Sequence, residues 1–196
     1  RDIAAVSFLR QIDVFLNRGG LLFTPFALHF PGRSLWSITS GEMNRDGRMD
    51  LVVIDTTQSG VAWGIGRVGV LLGNGNGTFK RVVYHETGAT GGVTVVVGDF
   101  NTDGLLDVAT GNQTPELFDT TCTVSLHYWD SVTILAGTGD GRFARPRTFH
   151  LDYTLFRNTY KNTHNALKTS DINGDGRTDL IASPGVILMT KGPQAN

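Results

Sequence analysis

Three features of the sequence predict an all-β repeat fold, a propeller or solenoid assembled from four-stranded units. A nine-residue acidic loop is written three times, as EMNRDGRMD at 42–50, DFNTDGLLD at 99–107 and DINGDGRTD at 171–179. A glycine-rich hairpin is written twice in full, as VGVLLGNGNGTF at 68–79 and SVTILAGTGDGRF at 131–143. Glycine makes up 25 of the 196 residues, about twice its usual share, and capped helix-favouring runs are scarce. Self-similarity at a period of tens of residues is the mark of propellers and solenoids.

Each acidic loop places oxygen-bearing side chains at positions 1, 3, 5 and 9, with glycine at position 6 where a tight turn needs a residue free of Cβ strain. Calcium takes six to eight hard oxygen ligands, and a short Asp/Asn loop supplies them from one concave side. The expected ligands are Glu42, Asn44, Asp46 and Asp50 in the first loop, Asp99, Asn101, Asp103 and Asp107 in the second, and Asp171, Asn173, Asp175 and Asp179 in the third. Position 7, occupied by Arg48, Leu105 and Arg177, is expected to contribute its backbone carbonyl, for up to three Ca2+ ions in all. Nine of the chain's 18 acidic residues lie in these loops. Crowded carboxylates disfavour one another's ionised forms, so a cation is the natural complement. Asx-rich hairpin turns are the local alternative, and three copies in register argue against it.

An EF-hand would need an acid at position 12 and flanking helices. Here the loops run instead into Leu51–Ile54, Val108–Thr110 and Leu180–Ala182, β-branched or aliphatic runs too short for helices. Val93–Gly98, ahead of the second loop, reads the same way, so each loop is expected to join antiparallel strands. In the second repeated element, Asn-Gly and Asp-Gly permit the positive φ angles of a tight hairpin. A degenerate copy, VFLNRGGLLF, stands at 14–23, and a truncated one, VILMTKG, at 186–192. GNGNG lacks the helix and the Lys-Ser/Thr pair of a phosphate-binding loop. The unit is therefore strand A, acidic loop, strand B, variable loop, strand C, glycine turn, strand D.

Acidic loop and glycine turn recurring in that order resemble the FG-GAP or VCBS repeats of integrin-α-like β-propellers, and the resemblance covers nearly the whole chain. It implies a β-propeller whose blades carry structural calcium in the A–B loop; Glu42, where the family usually has Asp, predicts the weakest of the three sites. Residues 1–34 are expected to hold the C and D strands of a partial blade, 35–91 and 92–152 two complete blades, and 153–196 another partial blade. That is about three blades, whereas propellers commonly close with more. The expectation is a piece of a larger propeller of about six to eight blades, completed by the remaining blades or by a second copy.

A formal net charge of −1 offers no basic face for nucleic acid, and no apolar stretch approaches a membrane span. Cys122 has no partner for a disulfide and no basic cluster to activate it. No leader pattern is read at residues 1–15. Weak calcium loops fill outside cells rather than in the cytosol, so the expected location is extracellular or at the cell surface. Asn76-Gly-Thr78 and Asn112-Gln-Thr114 fit the N-glycosylation sequon.

Because strands alternate in direction, A–B and C–D connections share one face and B–C and D–A connections the other. The latter carries the expected long insertions, 55–67 with Trp63, 111–130 with Phe118, His127, Tyr128 and Trp129, and 151–168 with Tyr153, Tyr160 and His164. Exposed aromatics on long loops are typical recognition surfaces. The expectation is a binding or adhesion module that recognises a protein ligand; the alternatives are a lectin-like propeller taking a glycan, and a spacer or binding module attached to an enzyme. Catalysis is not expected. The five histidines show no metal spacing and no nucleophile elbow occurs, leaving only a pairing of His127 or His164 with Asp119 or Asp130 as an acid–base candidate.

Overall fold

The computed structural model describes residues 2–7, 11–29, 34–59, 62–115, 127–150, 167–182 and 186–188. These residues form antiparallel sheets in which each strand pairs with its neighbour in sequence. The first sheet holds β1 (Ile3–Ser7), β2 (Gln11–Asn17) and β3 (Phe23–His29). The second holds β4 (Leu35–Gly41), β5 (Asp50–Ser59), β6 (Ala62–Leu71) and β7 (Val83–Thr90). The third holds β8 (Gly92–Gly98), β9 (Asp107–Pro115), β10 (His127–Leu135) and β11 (Arg147–His150). The fourth holds β12 (Leu167–Ser170), β13 (Asp179–Ala182) and β14 (Val186–Leu188).

The continuous apolar run Leu51–Ile54 explains how the sheets assemble. Successive strand residues point to opposite faces, and all four of these are buried. Leu51 and Val53, with Leu71 from β6, pack against Ile12 and Val14 of the first sheet. Val52 and Ile54, with Val68 and Val70, pack against Val95, Val108 and Leu135 of the third. The third sheet repeats the pattern one step on, with Ala109 and Val132 meeting Leu167, Leu180 and Ala182 of the fourth. Each inner sheet is thus covered on both faces, and each fully buried valine or leucine contributes about 1.5–3 kcal/mol relative to exposure. The leading strands stand side by side, β4 against β8 and β8 against β12. The described residues stack the sheets in series without closing them into a ring.

Two expectations need correction. The first sheet has three strands rather than two, because Ile3–Ser7 pairs along β2 from Ile3↔Phe15 to Ser7↔Gln11. Much of the expected B–C loop is strand. Residues 55–59 and 62–67 extend β5 and β6, with Asp55 opposite Arg67 and Ser59 opposite Ala62, and a bulge between Thr56 and Gln58. Residues 111–115 and 127–130 likewise continue β9 and β10. The glycines and polar residues that suggested loops occupy an outer strand end where a continuous apolar pattern is not required.

Candidate functional site

The acidic loops connect β4 to β5, β8 to β9 and β12 to β13. Their folding is set by two left-handed residues. Position 6 is Gly47, Gly104 or Gly176, with φ of 76°, 80° and 81°. Position 4 is also left-handed, at 61° in Arg45, 63° in Thr102 and 75° in Gly174. For a residue carrying Cβ that conformation costs roughly 1–2 kcal/mol. Sequence reasoning missed position 4, although the glycine at 174 was its signal.

The two kinks wrap the chain so that the side-chain oxygens face the loop's own amides. Position 1 accepts from positions 3 and 5 through Glu42 Oε1, which takes the Asn44 and Asp46 amides at 3.2 and 3.0 Å. Asp99 reaches further, taking the Asp103 amide at 3.2 Å and the Gly104 amide at 2.9 Å. Asp171 does the same with the Asp175 and Gly176 amides at 3.1 and 2.8 Å, adding Gly174 at 2.8 Å. Position 3 donates its amide Nδ2 to the position 5 carboxylate, from Asn44 to Asp46 at 3.1 Å, Asn101 to Asp103 at 2.8 Å and Asn173 to Asp175 at 3.2 Å. Position 5 in turn accepts the position 7 amides of Arg48, Leu105 and Arg177 at 2.9, 2.8 and 3.0 Å. Among the described residues no three His, Cys, Asp or Glu side chains converge as a metal-ligand group, because these carboxylates are turned onto backbone donors.

Position 9 behaves differently from the rest. Asp50, Asp107 and Asp179 are fully buried. Asp50 accepts the Met43 amide at 2.8 Å with one oxygen and the Gly73 amide at 2.7 Å with the other. Asp107 repeats this with Phe100 at 2.9 Å and Gly137 at 2.8 Å, and Asp179 accepts from Ile172 at 3.1 Å. The last acid of each of the first two loops therefore ties that loop to the glycine turn of its own sheet, which places A–B loops and C–D turns at one end. The contact is close enough to require glycine. A Cβ on Gly73 would stand 2.2 Å from the Met49 carbonyl oxygen, and one on Gly137 2.2 Å from that of Leu106.

Electrostatics separate the positions in the same way. Burial pushes the Asp50 and Asp107 carboxyls above their ordinary range, and the backbone donors at Gly73, Met43, Gly137 and Phe100 pull them back. Both are raised further by like charge from positions 1 and 5, Glu42 and Asp46 in one loop and Asp99 and Asp103 in the other. The hydrogen bond from Asn44 holds Asp46 below its ordinary range. The acids of each of the first two loops thus act on one another electrostatically without converging, and the side chains at positions 1, 3, 5 and 9 carry oxygen rather than sulfur or imidazole donors, the residue types that could hold a hard cation. The first loop also reaches the next sheet, where the Gly141 amide donates to the Met43 carbonyl at 3.0 Å. A cavity of about 230 Å³ separates it from the second loop.

At the opposite end the structure places the backbone of four of the expected recognition residues in paired strands. Trp63 lies in β6 opposite Gln58. His127, Tyr128 and Trp129 lie in β10 opposite Pro115, Thr114 and Gln113. Phe118, Tyr153, Tyr160 and His164 fall outside the described residues, as do Asp119 and Cys122. This end also holds a partly buried ion pair, Asp55 with Arg67 at 3.0 Å, with the Arg67 guanidinium 5.2 Å from the Tyr84 ring centroid. Five residues after its loop, as Asp55 is after Asp50, the third sheet has Asn112, which donates to the Ser131 hydroxyl at 3.3 Å and to that of Thr133 at 3.0 Å.

An FG-GAP-like repeat is matched over residues 60–110, a span that runs from β6 through the first glycine turn to the second acidic loop and into β9. Curated relatives are similar across most of the chain. A phosphatidylinositol-glycan-specific phospholipase D of Mus musculus is 32% identical over 158 residues, 76% of this chain and 18% of that protein. Those of Bos taurus and Homo sapiens are 30% and 29% identical over 169 and 170 residues, each 80% of this chain and 19% of the relative. The chain thus spans less than a fifth of the length of the curated relatives it matches.

Proposed function

We propose, from a chain that carries an FG-GAP-like repeat, that it is a calcium-stabilised, non-catalytic β-propeller segment that works outside the cell as a binding module. The observation that carries the reading is the repeated joint between acidic loop and glycine turn, Asp50 with Gly73 and Asp107 with Gly137. It commits the carboxylates to architecture and leaves the B–C and D–A end for recognition of a protein ligand. Calcium would be held by Asp46, Asp103 and Asp175 with their position 1 and position 3 partners and the position 7 carbonyls. The buried acids at position 9 would close each site from beneath.

The relatives favour a second reading of the same module, as a part of a larger lipid-anchor-directed enzyme whose catalytic machinery lies elsewhere. Both readings share the calcium test. A ligand that binds only the folded state stabilises it by mass action, so chelation is expected to lower the melting temperature by several degrees and calcium to restore it. An unfolding curve indifferent to EGTA, with no metal by elemental analysis, would end the calcium reading. A glycan array with Trp63→Ala and Trp129→Ala separates a sugar ligand from a protein one: sugar binding lost in those variants would favour the lectin-like form.

A further inference from the structure

We propose that Asn76 is an acceptor for N-linked oligosaccharide and that Asn112, the other described asparagine in a sequon, is not. The proposal rests on the extracellular reading above only for its occurrence in the native source; the acceptor property itself belongs to the turn. Asn76 lies at the exposed tip of the hairpin between β6 and β7. Its Oδ1 accepts the Thr78 amide at 3.0 Å and the Thr78 hydroxyl at 2.7 Å, so the two sequon side chains stand together. None of the described residues accepts a hydrogen bond from its Nδ2. Two further bonds at the tip are local as well, with the Asn74 amide on the Thr78 carbonyl at 2.9 Å and the Asn74 side-chain amide on the Thr78 hydroxyl at 2.9 Å. Contacts that span four residues or fewer form in a nascent hairpin before the sheets assemble, and Asx turns are intrinsic to such sequences.

Asn112 stands in the opposite situation. It is fully buried in β9, and its Nδ2 is the donor to Ser131 and Thr133. A sugar on that nitrogen would replace one of the two N–H donors and would have to enter the fully buried space beside β10, so chains that carry one do not reach this fold. The other full glycine turn, Thr138–Arg142, has no asparagine.

In the transfer, Asn76 Nδ2 forms a C–N bond to the anomeric carbon of a lipid-diphosphate-linked oligosaccharide. The anomeric C–O bond to phosphate breaks, the lipid diphosphate leaves with the electron pair, and Nδ2 releases a proton. The attached glycan would shield the end of the molecule that carries the acidic loops and leave the opposite end open.

The test is secretion of the full chain from a eukaryotic host with N-glycosylation, followed by peptide-N-glycanase treatment and peptide mapping. The expected result is a mobility shift that the amidase removes, with aspartate at 76 and intact asparagine at 112. Asn76→Gln and Thr78→Ala are each expected to abolish the shift while the protein is still secreted with an unchanged circular-dichroism spectrum. Unmodified Asn76 in the secreted wild type would overturn the proposal, as would a glycan retained in Thr78→Ala or found at Asn112 of the folded protein. Failure at Asn76 with an intact chelation effect would reject this site and leave the calcium-module reading standing.

Discussion

Replacing Asp107 with alanine tests whether position 9 is a structural tie or simply a metal ligand. The side chain is fully buried and accepts two backbone amides, Phe100 at 2.9 Å and Gly137 at 2.8 Å. Its removal leaves two partly buried N–H groups without this partner, each costing at most about 1–3 kcal/mol, and detaches the glycine turn from the loop. The sum, at most about 2–6 kcal/mol, is a large part of a typical stability of about 5–15 kcal/mol. Asp103, four residues earlier, is exposed and bonds mainly within its loop. Its loss in metal-free protein should fall within about 0.5 kcal/mol. The measurement is urea unfolding of wild type, Asp107→Ala and Asp103→Ala, each with calcium and with EGTA. Asp107→Ala should remain destabilised by several kcal/mol in EGTA, whereas the Asp103→Ala defect should disappear there. If chelation erased both defects equally, the carboxylate at 107 would act only through a metal and the reasoning above would be wrong.

Further outcomes follow from the joints between elements. Gly137→Ala puts a methyl 2.2 Å from a backbone oxygen; overpacking of this kind costs about 1–3 kcal/mol, and equilibrium unfolding should show it with or without calcium. His85 stacks edge-on against Phe143 at 5.0 Å, and burial first, then Arg142, lowers its pKa below the ordinary 6.5, although the Gly141 backbone and Asp140 pull the other way. Since the folded state binds this proton less readily than the unfolded one, its contribution is complete above pH 6.5 and is lost as pH falls below it; His85→Gln should flatten that part of a stability–pH profile. Asp55→Asn breaks a partly buried ion pair and should cost about 1–3 kcal/mol. Asp55→Asn combined with Arg67→Ser recreates the Asn112–Ser131 pairing of the third sheet, and a double-mutant cycle should recover much of that loss.

How far the sequence carried can be judged at particular residues. The strands beside each acidic loop were legible because Leu51–Ile54 and Leu180–Ala182 are apolar runs bounded by turn residues, and such runs need no distant information. The glycine turns were legible for the same reason, since the φ demands of Asn-Gly and Asp-Gly are local. β1 was missed because Ile3–Ser7 carries a mixed pattern and becomes a strand by pairing with β2. The extended ends of β5 and β6 were not legible as strand because Thr56–Ser59 and Gly64–Gly66 carry no alternating apolar pattern. There, backbone pairing outweighs propensity, as Asp55 opposite Arg67 illustrates.

The sequence by itself determined the repeating order of loop, strand and turn, the placement of Asp, Asn and Gly within each loop, and the all-β character. Each of these depends on neighbours within a few residues, where φ preferences and alternation act directly. The tertiary structure decided the different fates of acids that look alike in the sequence. Asp46, Asp103 and Asp175 stay on the loop surface, whereas Asp50 and Asp107 are drawn under it to bind the amides of Gly73 and Gly137, 23 and 30 residues away. The glycines at 73 and 137 are fixed in the same way, by the carbonyls of Met49 and Leu106 that fold against them. No local rule marks that distinction, because burial arises only when separate segments meet and a carboxylate taken out of water must find donors where it lands.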